Sequence, residues 1–281
     1  GLVSAVALIL FLIVELTVKK PLLNLKLLLN RNFALGNVAI FMLGVALYGS
    51  VFILPLYLAR IQGYNAEQIG FVLAWTGLPQ LLIIPFIPRL MKLIDVRVLM
   101  AVGFALFAAS NFMNIYMTAD YSGDQLMLPN IVRAVGQALC FAPLTGVAAA
   151  EIAPIDAGSA SALLNMMRNI GGAIGIAVLQ TFVTKREQFH SNIITQNITP
   201  ENPALQPRLD ALTQYFLNHG VSDPTEARAQ AFAAIAKVVR EQSYVLAFSD
   251  TFFLLGGVLI IALISSVFLK AGGKVSAGGG H

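Results

Sequence analysis

The chain reads as all-α, a polytopic membrane helical bundle, and three observations carry that reading. Hydrophobic residues make up 57% of the 281 positions and charged residues only 11%, whereas a soluble domain is about a quarter charged. The charges gather in short gaps and in one stretch, 185–243, leaving long uncharged runs between them. Those runs are continuous instead of alternating, which excludes a barrel with a wet lumen. Cys140 is the one cysteine, so a secreted disulfide scaffold is excluded too. The net charge of +4 lies in the gaps, where Lys and Arg act as topology determinants, and nucleic acid is not expected as a partner.

Seven apolar segments follow in order: 1–17, 33–58, 66–88, 96–117, 126–150, 158–184 and 244–269. All but the first have about the 20 residues that a bilayer-crossing helix needs. The first begins at Gly1 inside an apolar run and reads as a helix cut in a fragment, not as a signal peptide. Lys19, Lys20, Lys26, Arg31, Arg89, Lys92, Arg97, Lys270 and Lys274 fall on one side and Arg60 alone in the short gaps of the other, so the first side is expected to be cytoplasmic. The gap 18–32 is basic and leucine-rich; Leu22, Leu25 and Leu29 form an amphipathic stripe expected along the inner interface.

Residues 185–243 form a long hydrophilic segment on the outer side. Pro200, Pro203 and Pro207 are expected to interrupt any helix there. Asp223 is then a good N-cap, Pro224 fits the first helical position and Glu226 sits three residues past the cap. With no later breaker, one helix is expected to project from the membrane and continue as 244–269, pairing with a helical extension of 185–199; the pair would either cover the outer mouth or offer a docking edge to a partner. The tail 270–281 is glycine-rich and low in complexity.

Polar side chains inside spans are costly and ordinarily face a partner or a wet cavity. In the second segment Asn37, Phe41, Tyr48 and Phe52 share one helical face; in the fifth Asn130, Arg133, Gln137 and Phe141 do; in the sixth Ser161, Asn165, Arg168, Gly172 and Gly175 do. Thr76 and Gln80 add a polar pair beside Trp75. The candidate substrate cavity is therefore Asn37, Phe41, Tyr48, Phe52, Trp75, Gln80, Gln137, Phe141 and Asn165. Packing explains single aromatics equally well, and Gln137 and Asn165 also suit interhelical hydrogen bonds. Arg133, Arg168 and Asp250 are the candidates for proton coupling or gating. Gly171, Gly172 and Gly175, with Ala173 and Ala177, mark a face for close helix approach, and Pro55, Pro79, Pro85 and Pro143 are expected to kink spans.

Catalytic chemistry is not expected. His190, His219 and His281 read as extramembrane and isolated, so neither a metal site nor a His–Asp constellation is drawn, and no cofactor is assigned. GGAIG lies inside a hydrophobic helix and is no phosphate loop.

Several blocks then carry a resemblance: VFILPLYLARIQGYNAEQIGFVL, the basic turn PRLMKLIDVRVLM, NIVRAVGQALCFAPLTGVAAAEIAP and GSASALLNMMRNIGGAIGIAV. They resemble the second half of the 14-helix drug/proton antiporters of the major facilitator superfamily, the EmrB/QacA type, and look most like the EmrB branch. The FAPLTG block and the run of Asn165, Arg168, Gly171, Gly172 and Gly175 are its most specific pieces. The turn at 88–99 departs from the superfamily's loop motif, with Pro88 at its first Gly, Lys92 at its Asp and Asp95 at its second Gly.

The resemblance implies the C-terminal half of a major facilitator superfamily transporter. Residues 1–17 would be the end of helix 8, 18–32 a cytoplasmic linker, 33–184 helices 9 to 13, 185–243 a periplasmic segment, 244–269 helix 14 and 270–281 a cytoplasmic tail. It further implies an inner-membrane multidrug efflux permease that exchanges lipophilic drugs for protons by alternating access. Its partners would be the lipid bilayer, an N-terminal half absent from this chain, a periplasmic adaptor and an outer-membrane channel. The alternatives are a metabolite or lipid transporter of the same superfamily and a non-transporting membrane assembly module.

Overall fold

The computed structural model describes Val6, Leu10 and residues 24–196, 198, 203 and 205–269. The expectations for 270–281, for 18–23 and for nearly all of 1–17 fall outside these residues. The longer elements are α1 (Arg31–Arg60), α2 (Ala66–Ile83), α3 (Ile87–Leu93), α4 (Val96–Phe112), α5 (Gly123–Ala149), α6 (Ala157–Gln196), α7 (Gln206–Asn218) and α8 (Pro224–Val267). Among the described residues, five stretches are long and apolar enough to cross a membrane: α1, α2 continued through α3, α5, α6 with the turn before it, and α8.

Each start is written in the local sequence. The Asn30 side chain accepts from the backbone N–H groups of Asn32 (2.9 Å) and Phe33 (3.2 Å), satisfying two of the donors that a helix leaves free at its N-terminus. Asn65 and Gln68 form a reciprocal capping box at α2. Asp95 caps α4 through Arg97 N, and Gln125 Oε1 accepts from both the N–H and the hydroxyl of Ser122 at the start of α5. Asp223 caps α8 through Thr225 N, with Pro224 in the first turn. Gly63, at φ 65°, turns the chain between α1 and α2, a left-handed conformation that glycine adopts without strain.

Five helices supply most of one core, to which α2 adds Val72. Phe33, Leu43, Ile53 and Tyr57 of α1 meet Met100, Phe104 and Phe107 of α4, Leu126 and Leu144 of α5, Leu163 and Leu179 of α6, and Phe248, Phe252 and Leu259 of α8. Hydroxyls inside this core bond to their own helix: Ser50 to Ala46 O, Ser243 to Val239 O and Thr251 to Ala247 O, so these three hydroxyls are not stranded in a dry interior. Helix α2 stands apart. It packs mainly on α5, and Val72 is its one buried residue.

Helices α6 and α8 run for 40 and 44 residues, about 60 and 66 Å at 1.5 Å per residue, roughly twice the thickness of a hydrocarbon core. Their overhang holds a second small core. Leu209 of α7 and Ala231, Ile235 and Val239 of α8 are buried there, with Ile194, Phe216 and Phe232 against them.

Several expectations change. The segment 96–117 is helical only to Phe112; Asn111 and Asn114 turn their side-chain amides onto Phe107 O and Ser110 O, competing for the helix's own carbonyls as it ends. Pro85 breaks 66–88 into a 3₁₀ turn at Ile84–Phe86, whereas Pro55, Pro79 and Pro143 lie inside continuous helices. Pro207 starts α7 instead of interrupting it, because a first-turn proline loses no intrahelical hydrogen bond. Residues Leu25–Leu29 form a 3₁₀ turn. With three residues per turn, Leu25 and Leu28 pack on the core while Leu29 is 86% exposed, so no α-helical stripe through Leu25 and Leu29 forms.

Candidate functional site

The helix crossing that shapes the site is built from glycine. A Cβ on Gly44 would overlap the Arg168 carbonyl oxygen, and one on Gly171 the Phe41 carbonyl oxygen; one on Gly172 would enter the Tyr48 ring, and one on Gly175 would stand 2.9 Å from Val45 Cα. Backbones of α1 and α6 thus approach at a distance only glycine allows. Ala173 and Ala177 are exposed and lie off this face: from Gly171 they are two and six residues along, a rotation of roughly 200° and 240° at 100° per residue.

Beside the crossing, α1, α5 and α6 line an open cavity of about 460 Å³. Ile40, Leu43 and Phe141 give it an apolar wall, and Ser161, Asn165 and Arg168 a polar one. Arg168 Nη2 donates to Asn165 Oδ1 at 2.7 Å, and the guanidinium carbon stands 5.0 Å from the Phe141 ring centroid, a cation–π distance. Asn165 in turn donates to Ser161 O. Tyr48 reaches Asn169 Oδ1 at 3.1 Å from the other side of the crossing. The sixth segment's stripe therefore divides: Ser161 and Asn165 are exposed, whereas Gly172 and Gly175 are buried against α1.

A second polar group lies between α2 and α5. Arg133 Nη2 donates to Thr76 Oγ1 (2.8 Å) and to Asn130 Oδ1 (2.7 Å), and Asn130 Nδ2 donates to Val72 O (3.0 Å). Gln137 is buried on the same face of α5, and Gln80 is half-buried on α2.

The third group was not legible as a group in the sequence. Asp250 Oδ2 accepts from Arg186 Nε at 2.6 Å and lies 2.7 Å from His190 Nε2, joining α6 to α8 between the two cores. Glu187 and Arg240 add a 3.8 Å pair nearby. This overturns the expectation that His190 is isolated and that no His–Asp constellation exists. The available signal was Arg186 and His190 at i, i+4 on one helical face; what was missing was the register of two helices whose contacting residues lie 60 positions apart. His219 stays local, bonded to Tyr215 O and stacked on the Tyr215 ring.

The remaining candidates are placed as follows. Asn37 is buried and donates to Phe33 O on its own helix at 2.8 Å. Phe41 is half-buried beside Gly171, and Phe52 packs half-buried on the core. Trp75 is 42% exposed on the free face of α2, away from the cavity at Phe141. No group of His, Cys, Asp and Glu able to hold a metal ion occurs among the described residues.

The chain is 30% identical over 258 residues to the colistin resistance protein EmrB of Acinetobacter baumannii, covering 92% of this chain and 50% of that protein. It is 30% identical to the fatty acid resistance protein FarB of Neisseria gonorrhoeae, covering 100% and 54%, and 28% identical to the multidrug export protein EmrB of Escherichia coli K12, covering 99% and 53%. The chain thus spans about half the length of these relatives. The profile of the Major Facilitator Superfamily matches residues 1–186, from the first apolar segment through the glycine crossing to Arg186. A multi-pass helical membrane bundle with that match belongs to the major facilitator superfamily.

Proposed function

We propose that this bundle is the C-terminal half of an efflux permease that exports lipophilic compounds in exchange for protons, rocking against a second bundle by alternating access. The observation that carries the proposal is the cavity beside the α1–α6 crossing. Its apolar wall suits bulky lipophilic bodies, and Asn165 and Arg168 supply the few oriented polar groups that such sites use. Relatives named for multidrug export, colistin resistance and fatty acid resistance support the same substrate range. Tyr48, Gln80, Gln137 and Asn165 face the transport pathway, with Asn37, Phe41, Phe52, Trp75 and Phe141 forming its apolar and packing surround.

Among the charged candidates Asp250 is the one carboxylate, and its two basic partners place it in a polar contact between α6 and α8. Arg133 and Arg168 gate. In this proposal the bundle sits in a bacterial inner membrane with the α6–α8 overhang in the periplasm, where it meets an adaptor that leads to an outer-membrane channel. The test is drug efflux by the whole transporter in cells and proteoliposomes between pH 6 and 8. Asp250→Asn is expected to flatten the dependence of efflux on the proton gradient. Wild-type efflux across that range in the variant removes Asp250 from proton coupling, and transport that ignores the gradient in the parent removes antiport itself.

A further inference from the structure

Arg133 is 4% exposed and lies about 15 Å along α5 from Gly123. A cation held inside a bundle needs a counter-charge or a full set of hydrogen bonds, because its desolvation costs several kcal/mol. Arg133 has neither. Both of its hydrogen bonds leave from Nη2 and go to neutral oxygens, those of Thr76 and Asn130. Its Nε is buried with no acceptor. It forms no ion pair among the described residues, and the acids of the two helices around it, Glu67 and Asp124, lie in their first turns.

The helix that covers Arg133 buries the smallest share of its residues within this bundle of all the candidate spans. Helix α2 buries only Val72, and packs mainly on α5. Swinging it aside breaks the bonds from Asn130 to Val72 O and from Arg133 to Thr76 and leaves the shared core of the other helices intact. The register is parallel, Val72 with Asn130 and Thr76 with Arg133, so Gln80 comes level with Gln137. A polar track therefore runs down α5 from Arg133 past Gln137 to Phe141 at the apolar cavity, about 12 Å for eight residues.

Building on the efflux reading above, we propose that Arg133 is the anion-recognition residue of the transport pathway: it holds the carboxylate of an amphipathic acid whose apolar body extends along α5 toward Phe141. Thr76 and Asn130 are placeholders that orient the guanidinium and yield when the carboxylate arrives. A carboxylate offers the planar guanidinium a two-point contact between opposite charges in place of single bonds to neutral oxygens, and it supplies the counter-charge that the bundle withholds.

The test is binding without transport, so that a failure of efflux and a failure of the site are told apart. The whole transporter, purified in lipid nanodiscs, is titrated at pH 7.5 with 11-(dansylamino)undecanoic acid and with its methyl ester, each corrected for partition into empty nanodiscs. The acid is expected to bind the parent at least tenfold more tightly than the ester. Arg133→Gln is expected to weaken the acid at least tenfold and leave the ester within twofold, and Arg133→Lys to retain most of the acid's advantage. Equal affinity of the parent for acid and ester, or binding of neither, overturns the assignment. So does an Arg133→Gln variant that loses both probes in parallel or neither. If Arg133→Gln does not fold, the acid-to-ester ratio in the parent and in Arg133→Lys decides.

Discussion

Replacing Gly171 with alanine tests the α1–α6 crossing directly. The new methyl would overlap the Phe41 carbonyl oxygen and stand 3.0 Å from its carbonyl carbon and 3.2 Å from its Cα, where ordinary contact begins at 3.4 Å. All three neighbours are backbone atoms, so no side chain can rotate away, and the helices must part by roughly 1 Å. Separation on that scale also loosens the neighbouring contacts of Gly44 with Arg168, Gly175 with Val45 and Gly172 with Tyr48. Overpacking of this kind costs about 1–3 kcal/mol, against which alanine returns up to about 1 kcal/mol of helix propensity. A net loss of about 1–2 kcal/mol is expected. Gly77→Ala is the control, since nothing lies within 4 Å of its Cβ position and only the propensity gain applies. Equilibrium unfolding in mixed detergent micelles measures both variants. If Gly171→Ala is as stable as Gly77→Ala, the close crossing is not what holds α1 and α6 together.

Three further outcomes are expected. Asp250→Asn removes the charge that both Arg186 and His190 address; with Asp250 and Arg186 each about a third exposed, the loss is about 1 kcal/mol, read as faster hydrogen exchange across 183–196, and unchanged exchange there refutes it. Asn30→Ala deletes the cap on α1 and costs about 1 kcal/mol, measured by unfolding; a serine at the same position should recover most of it. Photo-crosslinkers at Gln230 or Lys237 in intact cells are expected to capture a periplasmic adaptor, and adducts confined to the transporter itself would end that proposal.

The parts of the fold that depend on neighbours in sequence were legible. From Asp223 onward the cap, the first-turn proline and the lack of any breaker specify one helix, and α8 runs unbroken to Val267. The Gly171, Gly172 and Gly175 run announced a close approach for a similar reason, since small residues at helical spacing in a span have few other uses. What failed depends on register or on local pitch. Leu25 and Leu29 fit an α-helical stripe on paper, but a 3₁₀ turn rotates Leu29 outward. Asp250 and His190 looked like separate residues because their meeting is fixed by how α6 and α8 slide along each other, which hydrophobic periodicity does not encode. Arg133 was recognised as a charged residue in a span, whereas its lack of a carboxylate partner appears only when the surrounding helices are assembled.

The continuity of α8 has a mechanical consequence. From Pro224 to Ser243 it extends some 30 Å beyond the larger core, and Arg186, Asp250 and His190 clasp it to α6 close to where that arm begins. A stiff rod amplifies rotation: a 10° change of tilt at the clasp carries the far tip about 5 Å for an arm of that length. Because α6 and α8 both continue from the core into the overhang without a break, a change of tilt in the core is carried to the tip. The overhang is a pointer on a dial, its tip swinging with the tilt of the helices that carry it.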